Sequence, residues 1–155
     1  MTADAAAITG IYNEGIEDRT ATFETELRTE RDVLAWLEQE THPVVVVEDG
    51  GRVIAFAMTS PSSARACYAR NAHFSVYVAR DARGRGAGRV AMTALLDAAK
   101  SVGFVKLLSG VFPANTASRA LLAKLGFREV GVQEKHGQLD GAWKDVVLVE
   151  RRLLP

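Results

Sequence analysis

Val76-Tyr77-Val78-Ala79-Arg80-Asp81-Ala82-Arg83-Gly84-Arg85-Gly86-Ala87-Gly88 reads as a strand, a tight Gly/Arg loop and the opening of a helix. Phe74, Val76 and Val78 alternate with polar or aromatic neighbours, as in a half-buried strand. Downstream, Val90, Ala94, Leu95, Ala98 and Val102 recur at helical spacing. Three glycines at the mouth of a helix let several backbone N–H groups converge on one point, and Arg83, Arg85 and Arg89 frame them. A helix N-terminus carries partial positive charge, so the loop suits a phosphate or pyrophosphate. It is neither of two common phosphate loops. It ends in Gly88-Arg89-Val90 where a nucleotide-hydrolysing loop needs Gly-Lys-Ser/Thr, and its glycines stand at Gly84-x-Gly86-x-Gly88, not Gly-x-Gly-x-x-Gly.

A second segment, Asn115-Thr116-Ala117-Ser118-Arg119-Ala120-Leu121-Leu122-Ala123-Lys124-Leu125-Gly126-Phe127, reads as a short capped helix. Asn115 suits the N-cap, Ser118 falls in the first turn, and Gly126 suits the left-handed position past the end. An apolar strand, Val105 to Val111, separates it from the first segment.

The bulk numbers bound the rest. A chain of 155 residues, 48% hydrophobic and 25% charged, has an ordinary globular composition and is long enough for one domain with a proper core. Lys+Arg and Asp+Glu both number 19, so no net field favours nucleic acid or an anionic membrane. The single Cys67 excludes an internal disulfide, fits the reducing cytoplasm and is expected to be buried or inert. Three histidines and one cysteine, without close spacing, point to no metal site. No segment approaches the ~20 apolar residues of a membrane span.

Along the chain, residues 4–17 read as a helix capped by Asp4, and residues 31–40 as a second. Pro43 to Val47 reads as a strand apolar on both faces, hence central in its sheet. Asp49-Gly50-Gly51 turns into a strand from Arg52 to Thr59, and a loop from Ser60 to Tyr68 precedes the strand Ala72 to Ala79. Helices at 87–101 and 115–125 and strands at 105–111, 128–136 and 142–153 complete the order, the last two joined through residues 137–141. Early and late hairpins around β-α-β-α units predict an α/β fold, a mixed sheet covered by helices, in a single domain over 1–155.

The pattern Arg83-x-x-Gly86-x-Gly88, followed by Asn115 and Leu125-Gly126-Phe127, resembles the acetyl-CoA motifs of the GNAT acetyltransferase superfamily. Within it, Ile11-Tyr12-Asn13, Thr20-Ala21-Thr22-Phe23-Glu24, Ser75-Val76-Tyr77-Val78, Lys135-His136-Gly137 and Trp143-Lys144-Asp145 are similar to the phosphinothricin and arsinothricin-resistance N-acetyltransferases. The likeness spans nearly the whole chain. It implies a GNAT fold, and because the chain begins almost inside that fold's first helix, the first edge strand is expected to be either absent or cut off by a truncated start. It also implies transfer of acetyl from acetyl-CoA to the α-amine of an amino acid or a toxic analogue (phosphinothricin, arsinothricin or methionine sulfoximine), by a homodimer.

The resemblance assigns roles residue by residue. The backbone of Arg83, Gly84, Arg85, Gly86, Ala87, Gly88 and Arg89 would hold the pyrophosphate. Val76 and Val78 would pair with the pantetheine arm, an N–H near Val78 would polarise the thioester, and Asn115 and Ser118 would touch the arm's other flank. The base, a glutamate in this branch, falls on His73, whose ordinary pKa of ~6.5 leaves it able to accept a proton at neutral pH. The usual acid falls on Leu122, which has no proton to give, so Tyr77 or water takes that place. Arg70 first and Arg65 second are candidates for the substrate carboxylate, because a guanidinium matches a carboxylate in bidentate fashion. Phe23 and Trp143 are candidate pocket walls, and Lys135 and His136 candidates for reaching a partner's site. Two alternatives stay open: acetylation of another amine (a polyamine, an aminoglycoside, a protein N-terminus), and a non-catalytic acyl-CoA sensor, motivated by Leu122.

Overall fold

The computed structural model describes residues 2–154. After a short 3-10 turn, helix α1 (Ala5–Asp18) and helix α2 (Glu30–Leu37) lead into strands β1 (Val44–Asp49), β2 (Arg52–Pro61) and β3 (Asn71–Val78). Helix α3 (Ala87–Ser101), strand β4 (Lys106–Val111), helix α4 (Thr116–Lys124) and the hairpin β5 (Arg128–Leu139) and β6 (Ala142–Arg152) follow. The six strands form one sheet in the order β1-β2-β3-β4-β6-β5. Every neighbouring pair is antiparallel except β3 and β4. That parallel pair is joined by α3 as a crossover, which is the way two parallel strands must be connected.

The core rests on β2 and α3. Residues Val53 to Ala57 of β2 are buried on both faces, with Phe56 wholly so. Helix α3 buries Ala91, Met92, Leu95, Leu96 and Ala99 against the sheet. The apolar stripe is therefore rotated from the one expected, since Val90 and Val102 are more than half exposed. Small alanines let the helix sit close to the sheet, and an alanine carries too little hydropathy to mark the buried face in a pattern. The valines of β1 likewise mislead. That strand is the sheet's edge and only half-buried, with β2 in the central position expected for it. A run of β-branched residues reports fitness for a pleated strand, not its place in the sheet. No strand precedes α1 among the described residues, and the outer edge of β1 carries no partner.

The ends of the helices show where local chemistry decides. Thr29 and Asp32 form a reciprocal capping box at the start of α2, so that helix begins at Glu30. Asp4 makes no capping bond with its side chain. Asn115 caps α4 as expected, its Oδ1 accepting the Ser118 N–H at 3.3 Å. The β5–β6 hairpin closes in the two residues Asp140 and Gly141, with φ of 50° and 79°, so pairing runs past the expected 137–141 loop to Leu139.

Gly110 of β4 tests how tightly the sheet is filled. A Cβ built there would lie 2.5 Å from Cγ1 of Val146, a buried and rotationally stiff side chain. Gly110→Ala is expected to lower stability by about 1–3 kcal/mol through overpacking, read as a lower midpoint in urea with unchanged slope.

Candidate active site

Among the described residues, the only parallel pairing in the sheet is three residues long. Asn71, Ala72 and His73 pair with Lys106, Leu107 and Leu108, and then β3 and β4 diverge. Two fixed hydrogen bonds say which way the freed backbone points. The Arg70 carbonyl accepts from Val105 N–H at 2.8 Å, towards β4, and Ala79 N–H donates to Ile54 O at 2.8 Å, towards β2. The β2–β3 register runs without a shift between them. Alternation along the strand therefore turns the N–H and C=O groups of Phe74, Val76 and Val78 towards β4, into the opening. The Val78 carbonyl is taken by Arg83 Nε at 3.3 Å, which leaves its N–H for the opening.

The opening is a cleft of about 1070 Å³. One wall is β3 from His73 to Val78, and the other is β4 from Leu108 to Val111 with Phe112 just beyond it. Its mouth is the Gly/Arg loop. Gly84 and Gly86 have φ of 79° and 85°, and Gly86 caps α3 without any side-chain acceptor for the first N–H groups of the helix. Those donors point to an anion. Arg83, Gly84, Gly86, Ala87, Gly88 and Arg89 line the cleft, with Asn115, Ser118 and Lys124 of α4 opposite. Arg85 is not among the lining residues. A strand-like ligand with amides along its length and a phosphate head fits this arrangement, because both its ends meet unpaired partners.

The loop is held from behind. Asp18, at the end of α1, lies 2.8 Å from Arg80 and 2.7 Å from Arg83. The Arg80 and Arg83 guanidiniums keep the Asp18 carboxyl below its ordinary range, the Arg80 hydrogen bond acting most strongly. Arg83 thus serves the loop's shape rather than reaching out to a ligand.

The far wall comes from the 20–24 segment, which lines the cleft with Phe23 and Glu24. Asn13 of α1 fastens this connection with two bonds, donating to Arg28 O at 3.0 Å and accepting from Arg28 N–H at 2.8 Å. Phe23 stands edge-on to Phe112, ring centres 4.9 Å apart, and fills the space over Gly137, where a Cβ would come within 2.8 Å of its ring. Glu24 is the one carboxylate among the lining residues, and Arg28 neutralises it at 2.9 Å.

His73 lines the cleft where β3 and β4 part, and burial lowers its pKa from the usual value. Tyr77 packs against Tyr12, Phe56 and Gly15. Burial, then the neighbouring Tyr12, raises its pKa, so it holds its proton tightly and is better suited to donate a hydrogen bond than to give the proton up. Leu122 is 2% exposed and offers nothing to a leaving group.

Several candidates lie elsewhere. Arg70 is at the base of β3, donating to Gly103 O at 3.1 Å at the opposite end from the cleft, and Arg65 rests over the Tyr68 ring. Neither lines the cleft. The loop 60–71 precedes the strand in sequence, but the strand's own length carries the site away from it. Lys135 is also absent from the lining, and its neighbour His136 is present. A bulge between Gln133 and Gly137 puts Lys135 at φ 46°, with its N–H held by Asp145 Oδ1 at 2.8 Å. No sequence pattern announced that bulge. Trp143 lines a separate, smaller hollow beside the cleft. Cys67 is free and exposed rather than buried.

Comparison with known proteins follows the same lines. Residues 8–127 match the family model described as "Acetyltransferase (GNAT) family". A phosphinothricin N-acetyltransferase of Streptomyces coelicolor is 32% identical over 97% of this chain and 91% of its own. A ribosomal-protein-alanine N-acetyltransferase from Brucella melitensis superposes with a TM-score of 0.94 at 32% identity, covering 98% of this chain and 96% of its own. An acetyltransferase from Salmonella typhimurium, solved with its cofactor acetyl-CoA, superposes with a TM-score of 0.96 at 29% identity, covering 100% of this chain and 91% of its own.

Two variants test the mouth of the cleft. Gly86→Ala forces a side chain into the left-handed region, a strain of about 1–2 kcal/mol that should weaken acetyl-CoA binding roughly 5- to 30-fold in calorimetry. Asp18→Asn should lower the melting temperature at pH 7. Because the folded Asp18 pKa is depressed, that difference should shrink as pH falls below about 4 and both forms become uncharged.

Proposed function

The chain belongs to the acetyltransferase (GNAT) family, and on that footing we propose that it transfers acetyl from acetyl-CoA to the α-amine of an amino acid or a toxic amino-acid analogue. The separation of β3 from β4, with the Val76 and Val78 backbone turned into it, carries the reading. Acetyl-CoA supplies the thioester whose acetyl group moves. The first N–H groups of α3 hold its pyrophosphate, with Arg89 and Lys124 adding charge nearby. Val76 continues the sheet into the pantetheine arm, and Asn115 and Ser118 close its other side. Val78 N–H donates to the thioester carbonyl, where negative charge grows as the amine attacks.

His73 takes the proton that the attacking ammonium must lose, a role its neutral ground state allows. The new C–N bond replaces the C–S bond, and with Leu122 in the usual acid's place, water in the open cleft protonates the departing thiolate. Tyr77 stays protonated and donates a hydrogen bond at the acceptor end. Phe23 and Phe112 wall that end, and His136 stands at its rim.

The charge of the cleft favours an amino acid over a polycation. Its one carboxylate is already neutralised by Arg28, so a polyamine or aminoglycoside finds no acidic surface. The Streptomyces coelicolor relative is named for phosphinothricin, a glutamate-like amino acid. The Brucella melitensis neighbour supports a second reading, acetylation of a protein N-terminal alanine. The active form is a homodimer in the cytoplasm. Lys135 does not line its own cleft, which leaves it free to serve a partner, and an unpaired exposed Cys67 suits a reducing compartment.

Thiol release from acetyl-CoA is the test, over α-amino acids, phosphinothricin, methionine sulfoximine, polyamines, an aminoglycoside and a peptide beginning with alanine. Release dependent on one amino-acid class is expected, and release with the peptide alone would overturn the substrate. Binding of acetyl-CoA with silence across the panel would turn the reading to a sensor. His73→Ala should lower kcat by roughly 10²–10⁴. In the parent protein the acid limb of the pH–rate profile should lie below ~6.5, because the base works only when neutral and burial depresses its pKa.

A further inference from the structure

His73 and Ser109 meet where the two strands part. His73 is the last residue of β3 still paired to β4, and Ser109 is the first residue of β4 beyond that pairing. The Ser109 hydroxyl lies 3.4 Å from His73 Nε2. Ser109 is 8% exposed, one of the few polar residues buried in the chain, and its hydroxyl has no other hydrogen-bond partner among the described residues. His73 Nδ1 has none.

A histidine base poses a problem that a carboxylate does not. The two oxygens of a carboxylate are equivalent acceptors. A neutral imidazole carries a proton on one nitrogen and a lone pair on the other, and it serves as a base only when the lone pair faces the substrate. A hydrogen bond to the opposite nitrogen makes that choice, and in a site removed from water its influence grows. Long hydrogen bonds at catalytic groups commonly tighten once substrate is bound.

We propose that Ser109 is a positioning residue for His73: its oxygen accepts the Nε2 proton, which leaves the Nδ1 lone pair for the acceptor amine. This rests on the acetyltransferase reading with His73 as base. One proton moves. The ammonium N–H breaks, an Nδ1–H bond forms, and the Nε2 proton stays on its nitrogen, shared with Ser109. The imidazolium then returns the Nδ1 proton to water in the cleft. The titratable and charged groups that share the cleft are Tyr77 on the same strand, Glu24, Arg83, Arg89, Lys124 and His136. Strand β2 faces His73 with Ser60, which does not titrate. Burial is the influence that moves His73, so loss of a single neutral bond should be visible in its titration.

The chain has three histidines, His42, His73 and His136, so each imidazole can be followed by nuclear magnetic resonance. Long-range proton–nitrogen spectra should show His73 with its proton on Nε2. Ser109→Ala should move the His73 midpoint downward, because a bond accepted by Oγ favours the imidazolium. Its kcat should fall roughly tenfold with KM for acetyl-CoA unchanged, and Ser109→Thr should restore both titration and rate. A His73 proton on Nδ1, or an upward or absent shift in Ser109→Ala, overturns the pairing. Full activity in His73→Ala, with the Nε2 tautomer still seen in the parent protein, overturns the base assignment and with it the catalytic purpose of the pair.

Discussion

Everything in this molecule that concerns chemistry depends on one interruption in a hydrogen-bond ladder. Strands β3 and β4 stay together for three residues and then part. An open ladder inside a protein leaves donors and acceptors unpaired, and burial makes that expensive unless something completes them. The fold keeps the strands apart by giving each a firm neighbour on its other side, β2 for β3 and β6 for β4. The rigidity of those antiparallel pairings turns the gap into a fixed slot rather than a collapsed defect. A ligand shaped like a strand is then the natural complement, and the helix N-terminus at the slot's mouth decides that its head is anionic.

The parts of this arrangement visible in sequence are those written in local chemistry. Helix α3 runs from Ala87 to Ser101, as expected, because the glycines before it and Gly103 after it punctuate the chain without ambiguity. Asn115 and Gly126 did the same for α4. The phase of the α3 stripe was harder, since alanines form half of its buried face. The position of β1 was harder still, because strand order depends on pairings between distant residues that no run of valines encodes. The separation of β3 from β4 left no mark in sequence beyond the family motifs.

Site residues divided along the same line. His73, Val76 and Val78, named through the family resemblance, and the loop glycines, which also answer the demands of a tight turn, all line the cleft. Arg70 and Arg65 rest on charge and on nearness in sequence, and Lys135 on the family motif; length along a strand and a bulge carry them out of the cleft lining. Ser109 gave no signal at all, for a serine in a short apolar strand becomes notable only once its opposite number is known. Asn13 stood in a segment whose likeness to relatives was plain, but its task, fastening the loop before α2, appears only in three dimensions.

That fastening has a consequence for how such a protein changes over generations. The cofactor half of the cleft is built from sheet backbone, glycines and a helix end, parts that tolerate few replacements. The other half is lined by a short loop tied down at Asn13 and wedged by one aromatic ring between Phe112 and Gly137. Residues between these anchors can be exchanged without disturbing the slot. New resistance or new metabolism can therefore arise by drift within a few loop positions while the donor chemistry is inherited intact. One fold can in this way change what it modifies while keeping how it does so.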